Sequence, residues 1–147
     1  MTSVSTCLWF NDCALEAARL YISLFDDGQI TDITPRNSDR VMTVAFTLGG
    51  QKYWGLNGGP IFPHSPATSI SVHVDTQAEV DHFWTTLTAN GGRESRCGWL
   101  IDPYGLSWQI IPRALPRLLG SDPSGRVMAA MMAMAKLDIA ALEAAAQ

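Results

Sequence analysis

Gln109 stands in the middle of a mostly apolar run, Leu106-Ser107-Trp108-Gln109-Ile110-Ile111. An amide in such a run either orients a ligand or is satisfied by backbone groups. His73 is followed two residues on by Asp75. In an extended segment the two share a face, the spacing of a general base and its orienting carboxylate. The other reading of His73 is a hydrogen-bonded histidine at a strand end. Ser69 and Asn57 add a hydroxyl and an amide, although Asn57 before Gly58-Gly59 also suits a turn. Trp9 and Tyr53 add rings with a polar end, which either stack a ligand or fill the core. A cleft lined by Trp9, Tyr53, Asn57, Ser69, His73 and Gln109 suits a small, partly aromatic or apolar molecule held by a few hydrogen bonds.

Other chemistries find less support. His64 lies in a proline-rich stretch and His82 in a helical one, and no Glu stands at ligand spacing from any histidine, so no metal site is expected. The 3 cysteines, Cys7, Cys13 and Cys97, show no CxxC spacing and read as reduced thiols of a cytoplasmic protein. Cys97 as a nucleophile needs a base that the sequence does not identify. A formal net charge of −4 with scattered basic residues argues against nucleic acid. The apolar runs are too short for a membrane span, and Met1–Ser5 lacks signal-peptide character.

These residues must be positioned by a soluble core, and a hydrophobic fraction of 47% with 16% charged residues is enough to build one. Thr6–Phe10 reads as a strand. Asp12 is a candidate N-cap for a helix over Cys13–Phe25, with Ala14, Ala17, Ala18, Tyr21, Leu24 and Phe25 on one face. Gly28 suits a left-handed terminator. Gln29–Thr34 reads as a strand and Pro35–Arg40 as a polar loop. Val41–Leu48 and Gln51–Asn57 form a hairpin about Gly49-Gly50. Gly58–Thr68 is a long loop or linker.

The order then restarts. Ser69–Val74 is a strand, and Thr76 with Glu79 forms a capping box before a helix striped by Val80, Phe83, Trp84 and Leu87. Arg93–Cys97, Trp99–Ile101 and Leu106–Ile111 follow as strands. Asp102-Pro103-Tyr104-Gly105 makes the turn between the last two, and Pro112 ends the final one. Tyr21 and Trp84, Leu24 and Leu87, and Gly28 and Gly91 are each 63 positions apart, a mark of internal duplication.

The expected fold is α+β, with paired βαβββ modules over residues 1–60 and 66–113 and a helical tail over 114–147. In the tail, Asp138 caps a last short helix. Met128, Met131, Met132, Met134 and Leu137 make a soft apolar surface that lies on the domain itself or on a second subunit.

Alternation within strands assigns faces. Ile70, Val72 and Val74 should meet the second helix, which leaves Ser69, Ser71, His73 and Asp75 on the other face. Ser107, Gln109 and Ile111 share one face of the last strand. Leu8 and Phe10 should pack on the first helix, with Ser5, Cys7 and Trp9 toward the cleft. Gln51, Tyr53, Gly55 and Asn57 form one face of their strand. With a helix on one face of each sheet, the free faces can form a shared cavity.

Six segments carry a resemblance. They are Cys7–Phe10, Leu56–Pro60, Val74–Asp81, Cys97–Leu100, Asp102–Gln109 and Lys136–Leu142. In them the chain resembles the 3-demethylubiquinone-9 3-methyltransferase-like (PhnB-like) family of the glyoxalase/bleomycin-resistance/dioxygenase, or vicinal oxygen chelate, superfamily. The resemblance implies two βαβββ modules enclosing a cavity, in a homodimer where modules pair within or across chains. It also implies a divalent metal held by His and Glu from equivalent strands. Carried onto this sequence, those places fall on Ser5, Gly55 or Asn57, Ser69 and Gln109, none of them a carboxylate or imidazole. Neutral hydroxyls and amides hold a transition metal poorly. No glycine-rich nucleotide loop of the Rossmann type follows the first strand.

The expectation is a metal-independent small-molecule-binding protein with a cavity between the modules, using no cofactor. The alternative is an enzyme: a lyase, isomerase or oxygenase of the superfamily, or the methyltransferase of the family name.

Overall fold

The computed structural model describes residues 1–147. The chain forms two compact units, Met1–His64 and Ser65–Gln147. Both follow a β-α-β-β-β order, so each is a βαβββ module of the expected α+β class.

The first unit runs β1 (Thr6–Phe10), α1 (Ala14–Ile22), β2 (Gln29–Asn37), β3 (Arg40–Leu48) and β4 (Gln51–Asn57). The strand order is β1-β4-β3-β2, with β1 parallel to β4 and the other pairs antiparallel. Small residues let α1 lie close to the sheet. Ala14, Ala17, Ala18 and Tyr21 are fully buried against Leu8, Phe10, Val44, Phe46 and Leu48. At Gly55 a Cβ would come within 3.1 Å of the Ala14 Cβ and 3.3 Å of the Phe10 ring, so a side chain there would lift the helix.

Three local expectations change. Asp12 does not cap α1: the N-cap position is Cys13, without a side-chain cap. Gly28 is not left-handed; a Cβ there would collide with the Ile22 carbonyl, so glycine is needed for space. Gly92 stands in the same relation to the Leu87 carbonyl, which makes Gly92 rather than Gly91 the counterpart of Gly28. Pro35–Arg40 is not a loop. β2 continues to Asn37, which pairs with Arg40. β2 is an edge strand and its register shifts on both sides of Pro35, where a missing N–H costs no ladder bond.

The Gly49-Gly50 hairpin forms as expected, both residues having positive φ. The Asp27 carboxylate accepts from both N–H groups, at 2.8 and 2.7 Å.

The second unit runs β5 (Ser69–Val74), α2 (Gln77–Thr88), β6 (Arg93–Glu94), β7 (Trp99–Ile101) and β8 (Ser107–Pro112), followed by α3 (Ala114–Gly120), α4 (Arg126–Met132) and α5 (Ile139–Ala145). The order β5-β8-β7-β6 repeats that of the first sheet, with β5 parallel to β8. Thr76 and Glu79 form the capping box, and Val80, Phe83, Trp84 and Leu87 are the buried stripe of α2. Only Arg93–Glu94 of the expected strand Arg93–Cys97 pairs. Cys97 and Gly98 take positive φ instead, and their N–H groups donate to Met134 and Ala135 of the tail.

The tail is tied into this unit. Leu115, Leu118, Val127, Leu137 and Leu142 form a buried cluster to which Met131 and Met134 add, while Met128 and Met132 stay exposed. Gln77 clamps it with both ends of its amide. Nε2 donates to the Leu137 carbonyl at 3.0 Å, and Oε1 accepts from the Ile139 N–H at 2.9 Å. Asp138 caps α5 by accepting from the Ala141 N–H. No helix is long and apolar enough to cross a membrane.

Candidate functional site

The second sheet presents its polar chemistry on the face away from α2. Ile70, Val72 and Val74 of β5 and Trp108 and Ile110 of β8 are buried on the helix side. Alternation then sends Ser69, Ser71 and His73, with Ser107, Gln109 and Ile111, to the other face. Gln109 Nε2 donates to Ser69 Oγ at 2.9 Å. Ser107, the register partner of Ser69, is 1% exposed, and its Oγ has no hydrogen-bond partner. Trp99 is the register partner of Gln109 across β7, so its half-buried ring shares the face. The sequence signal for Trp99 was its position opposite Gln109 across the Asp102–Gly105 turn.

This arrangement offers hydrogen bonds beside an aromatic wall. The Gln109 carbonyl oxygen and the Ser69 hydroxyl proton remain available, and the Ser107 hydroxyl lies buried and unpartnered beneath them.

The expected His73–Asp75 pair does not form. Residues two apart along a strand stand about 7 Å apart. Arg113, which follows β8 and bonds through its N–H to the Val74 carbonyl, takes Asp75 instead, with Nε 3.1 Å from Oδ1. His73 Nε2 lies 3.3 Å from Ser71 Oγ, both residues exposed. A Ser–His contact without an orienting third group is a weak nucleophilic pair.

In the first unit, Trp9 and the other two residues expected beside it part company. Gly55 and Asn57 point to α1, and Tyr53 shares their parity. The Tyr53 ring stacks on Phe46 at 5.6 Å, and Phe46 lies 6.2 Å from Tyr21 of α1. Burial pushes the Tyr53 phenol above its usual range. Asn57 is committed to structure: Oδ1 accepts from the Ala14 N–H at 2.9 Å, and Nδ2 donates to the Val41 carbonyl at 3.1 Å. The placement of Tyr53 and Asn57 on the cleft face with Trp9 is therefore corrected. Tyr53, Gly55 and Asn57 are the register partners of Thr6, Leu8 and Phe10 in β1, so they share the helix-facing side of the sheet.

Trp9 is on the face away from α1, opposite Leu56 in register. Its indole N–H donates to the Gly59 carbonyl at 2.9 Å, and Phe62 meets it edge-on at 4.9 Å. Cys7 shares that face, and partial desolvation holds its thiol above the usual range. His64 Nε2 is buried without a partner, its ring 5.4 Å from that of Phe10.

A family model described as 3-demethylubiquinone-9 3-methyltransferase matches residues 2–111. The chain belongs to that family. The match stops before the tail, so Lys136–Leu142 lies outside it. Among solved structures, a PhnB protein from Bacillus cereus that carries the same methyltransferase name is 29% identical, with a TM-score of 0.69 over 76% of this chain and 99% of that one. A protein from Pseudomonas aeruginosa is 20% identical, TM-score 0.62, over 76% and 98%. The fosfomycin resistance protein FosX from Listeria monocytogenes is 12% identical, TM-score 0.58, over 80% and 96%. The likeness to the PhnB protein and to FosX is one of fold, the glyoxalase/bleomycin-resistance-like α+β fold. No curated protein matches it.

The superfamily's divalent metal does not fit the residues this family member presents. Ser69 and Gln109 bond to each other, and Asn57 is spent on Ala14 and Val41. No group of three or more His, Cys, Asp or Glu side chains is placed to hold an ion. A nucleotide methyl donor fares no better on the fold. β1 passes to α1 through Asn11-Asp12-Cys13, without a glycine cradle, and the sheets are mixed rather than parallel.

Proposed function

We propose that the protein binds a small molecule on the β5–β8 face of its second unit, through neutral hydrogen-bonding groups and without a transition metal. The observation that carries this reading is the Ser69–Gln109 bond beside the buried, unpartnered Ser107 hydroxyl. A buried hydroxyl left without a partner is unfavourable, and a ligand that bonds it recovers that loss. Gln109 Oε1 would accept from a ligand donor and the Ser69 hydroxyl would donate to an acceptor. Trp99 would cover an apolar or aromatic part, with His73 at the rim. The ligand class is a small molecule with an amide-like or hydroxyl-bearing edge and an apolar body.

The test is a thermal-shift screen of the purified chain with three arms: divalent metals, S-adenosylmethionine, and a library of small amides and hydroxy compounds. The expected result is silence from the first two and stabilisation by members of the third that is lost in Gln109→Leu and Ser107→Ala. Stoichiometric metal by elemental analysis would overturn the metal-free reading. Stabilisation by S-adenosylmethionine alone would favour the methyl transfer named for the Bacillus cereus relative.

A further inference from the structure

We infer that the first unit carries a second binding site, for a small oxyanion, at the end of its sheet where β1, β4 and the β2–β3 hairpin meet. A cavity of about 230 Å³ lies there, lined by Asn11, Asp12, Arg36, Arg40, Asn57 and Gly58 among others. Drug-sized ligands occupy roughly 300–1,000 Å³. The space suits a small ion or a ligand's charged end group.

Two guanidiniums line this one cavity, and neither has a counter-ion. The ion pairs of the chain are Arg113–Asp75 and Lys136–Asp81, both elsewhere. Arg36 is held in place, since its Nη2 donates to the Asn57 carbonyl at 2.8 Å. The rest of its N–H fork is free, and the Arg40 guanidinium has no hydrogen bond or ion pair to the protein. The other polar groups around the cavity are largely spent. The Asn57 amide bonds to Ala14 and Val41, and the Gly58 and Gly59 N–H groups donate to the Phe10 and Asn11 carbonyls. The unspent side-chain donors are therefore the Asn11 amide and the two guanidiniums, whose planar forks match the paired oxygens of a carboxylate or phosphoryl group. An anion between them also relieves their mutual repulsion.

Asp12 lines the same cavity without pairing with either arginine. It repels an anion from its own end and confines the oxyanion to the arginine side. The hairpin explains why this site escapes a reading of the sequence. Pro35–Arg40 resembles a polar loop, and only the Asn37–Arg40 pairing brings the two arginines to one cavity.

The site is separate from the Ser69–Gln109 face, so the two readings fail independently. Titration calorimetry of the full chain at low salt, with inorganic phosphate in one arm and acetate in the other, tests it. Saturable binding of at least one anion is expected, and the stronger arm names the group. Arg40→Gln and Arg36→Gln should each weaken it about tenfold, the scale of one charge-assisted pair. Asp12→Asn should strengthen it, and Lys52→Gln, a charge loss at the far end of β4, should leave it unchanged. The Arg40 side chain is exposed and makes no hydrogen bond, and Gln keeps the backbone pairing with Asn37, so its variant should keep the wild-type circular dichroism and melting point. Absence of saturation by both anions overturns the inference. So does equal binding by wild type and Arg40→Gln, or equal weakening by Lys52→Gln.

Discussion

Asn57 caps a helix that begins 43 residues before it: its Oδ1 accepts the N–H of Ala14, the first residue of α1, at 2.9 Å. The same amide donates to the Val41 carbonyl at the start of β3. One side chain at the end of β4 thus joins the helix, the hairpin and the strand next to β1. Its 6% exposure makes both bonds hard to replace with water. Asn57→Ala should destabilise the chain by about 1–3 kcal/mol, the cost of leaving buried partners unmade. Asn57→Asp keeps the acceptor but sets a carboxylate against the Val41 carbonyl, and should also destabilise. Urea denaturation followed by tryptophan fluorescence measures both. Unchanged midpoints would mean that Ala14 finds another cap.

The second unit has a comparable anchor in Asp102, which is 1% exposed. Oδ1 accepts from the Tyr104 and Leu106 N–H groups at 2.8 and 3.1 Å, closing the turn. Oδ2 accepts from the Trp108 indole at 2.9 Å, fixing the next strand. Asp102→Ala should cost about 2 kcal/mol or more, since bonds to a charged acceptor contribute 1.5–3 each. It should also loosen the β7–β8 hairpin that carries Trp99 and Gln109. A fall in the urea midpoint with faster amide exchange at Leu106 and Trp108 is expected; protection as in the wild type would refute the anchor role.

Much of this was legible in the sequence, and the failures have physical causes. Periodicity found α1 and α2 because their apolar stripes, Ala14 to Tyr21 and Val80 to Leu87, are what packing requires. The capping box at Thr76 and the turn at Gly105 are local chemistry, visible in a few residues. The face of β4 was not legible. Tyr53 and Asn57 alternate with Trp54 and Leu56, and both sets mix polar and apolar atoms, so the pattern alone assigns neither to the helix. The cap of Ala14 decides it, a contact across 43 positions. His73–Asp75 failed for a similar reason: sequence proximity favoured the pair, while Arg113 came closer through the parallel β5–β8 pairing.

The tail should detach from the second unit in acid. Hydrogen bonds from Lys136 and Gln77 hold the Asp81 carboxyl below its ordinary 3.8. Ser124 and the Val127 N–H do the same for Asp122, which caps the start of α4. Both folded values are depressed, so these groups add stability above the ordinary carboxyl range. That contribution is lost as pH falls below 3.8 and through the lower folded values. Both groups are solvent-exposed, so the effect should be local and weakened by salt. Hydrogen exchange at low pH should rise first in α3–α5, before β5–β8. Asp122→Asn should start from a looser α4 and show less of this acid dependence. Uniform exchange across the unit would count against a separately released tail.

Ser107 separates a structural from a ligand-binding reading of the β5–β8 face. Its buried Oγ has no partner, whereas Ser69 and Gln109 satisfy each other. Replacing an unpaired buried hydroxyl by a methyl group removes an unfavourable polar burial, at the cost of a small change in packing. Ser107→Ala should therefore leave the ligand-free protein as stable as the wild type, or raise its stability by about 1 kcal/mol. A ligand that bonds this hydroxyl should stabilise the wild type more than the variant, reversing their order of melting temperatures. Gln109→Leu breaks the bond to Ser69 and should lower the melting temperature of the ligand-free protein as well. Scanning calorimetry of the two variants with and without a screened ligand reads all of these. A destabilised ligand-free Ser107→Ala would show that the hydroxyl serves the fold, and would remove the main support for binding on this face.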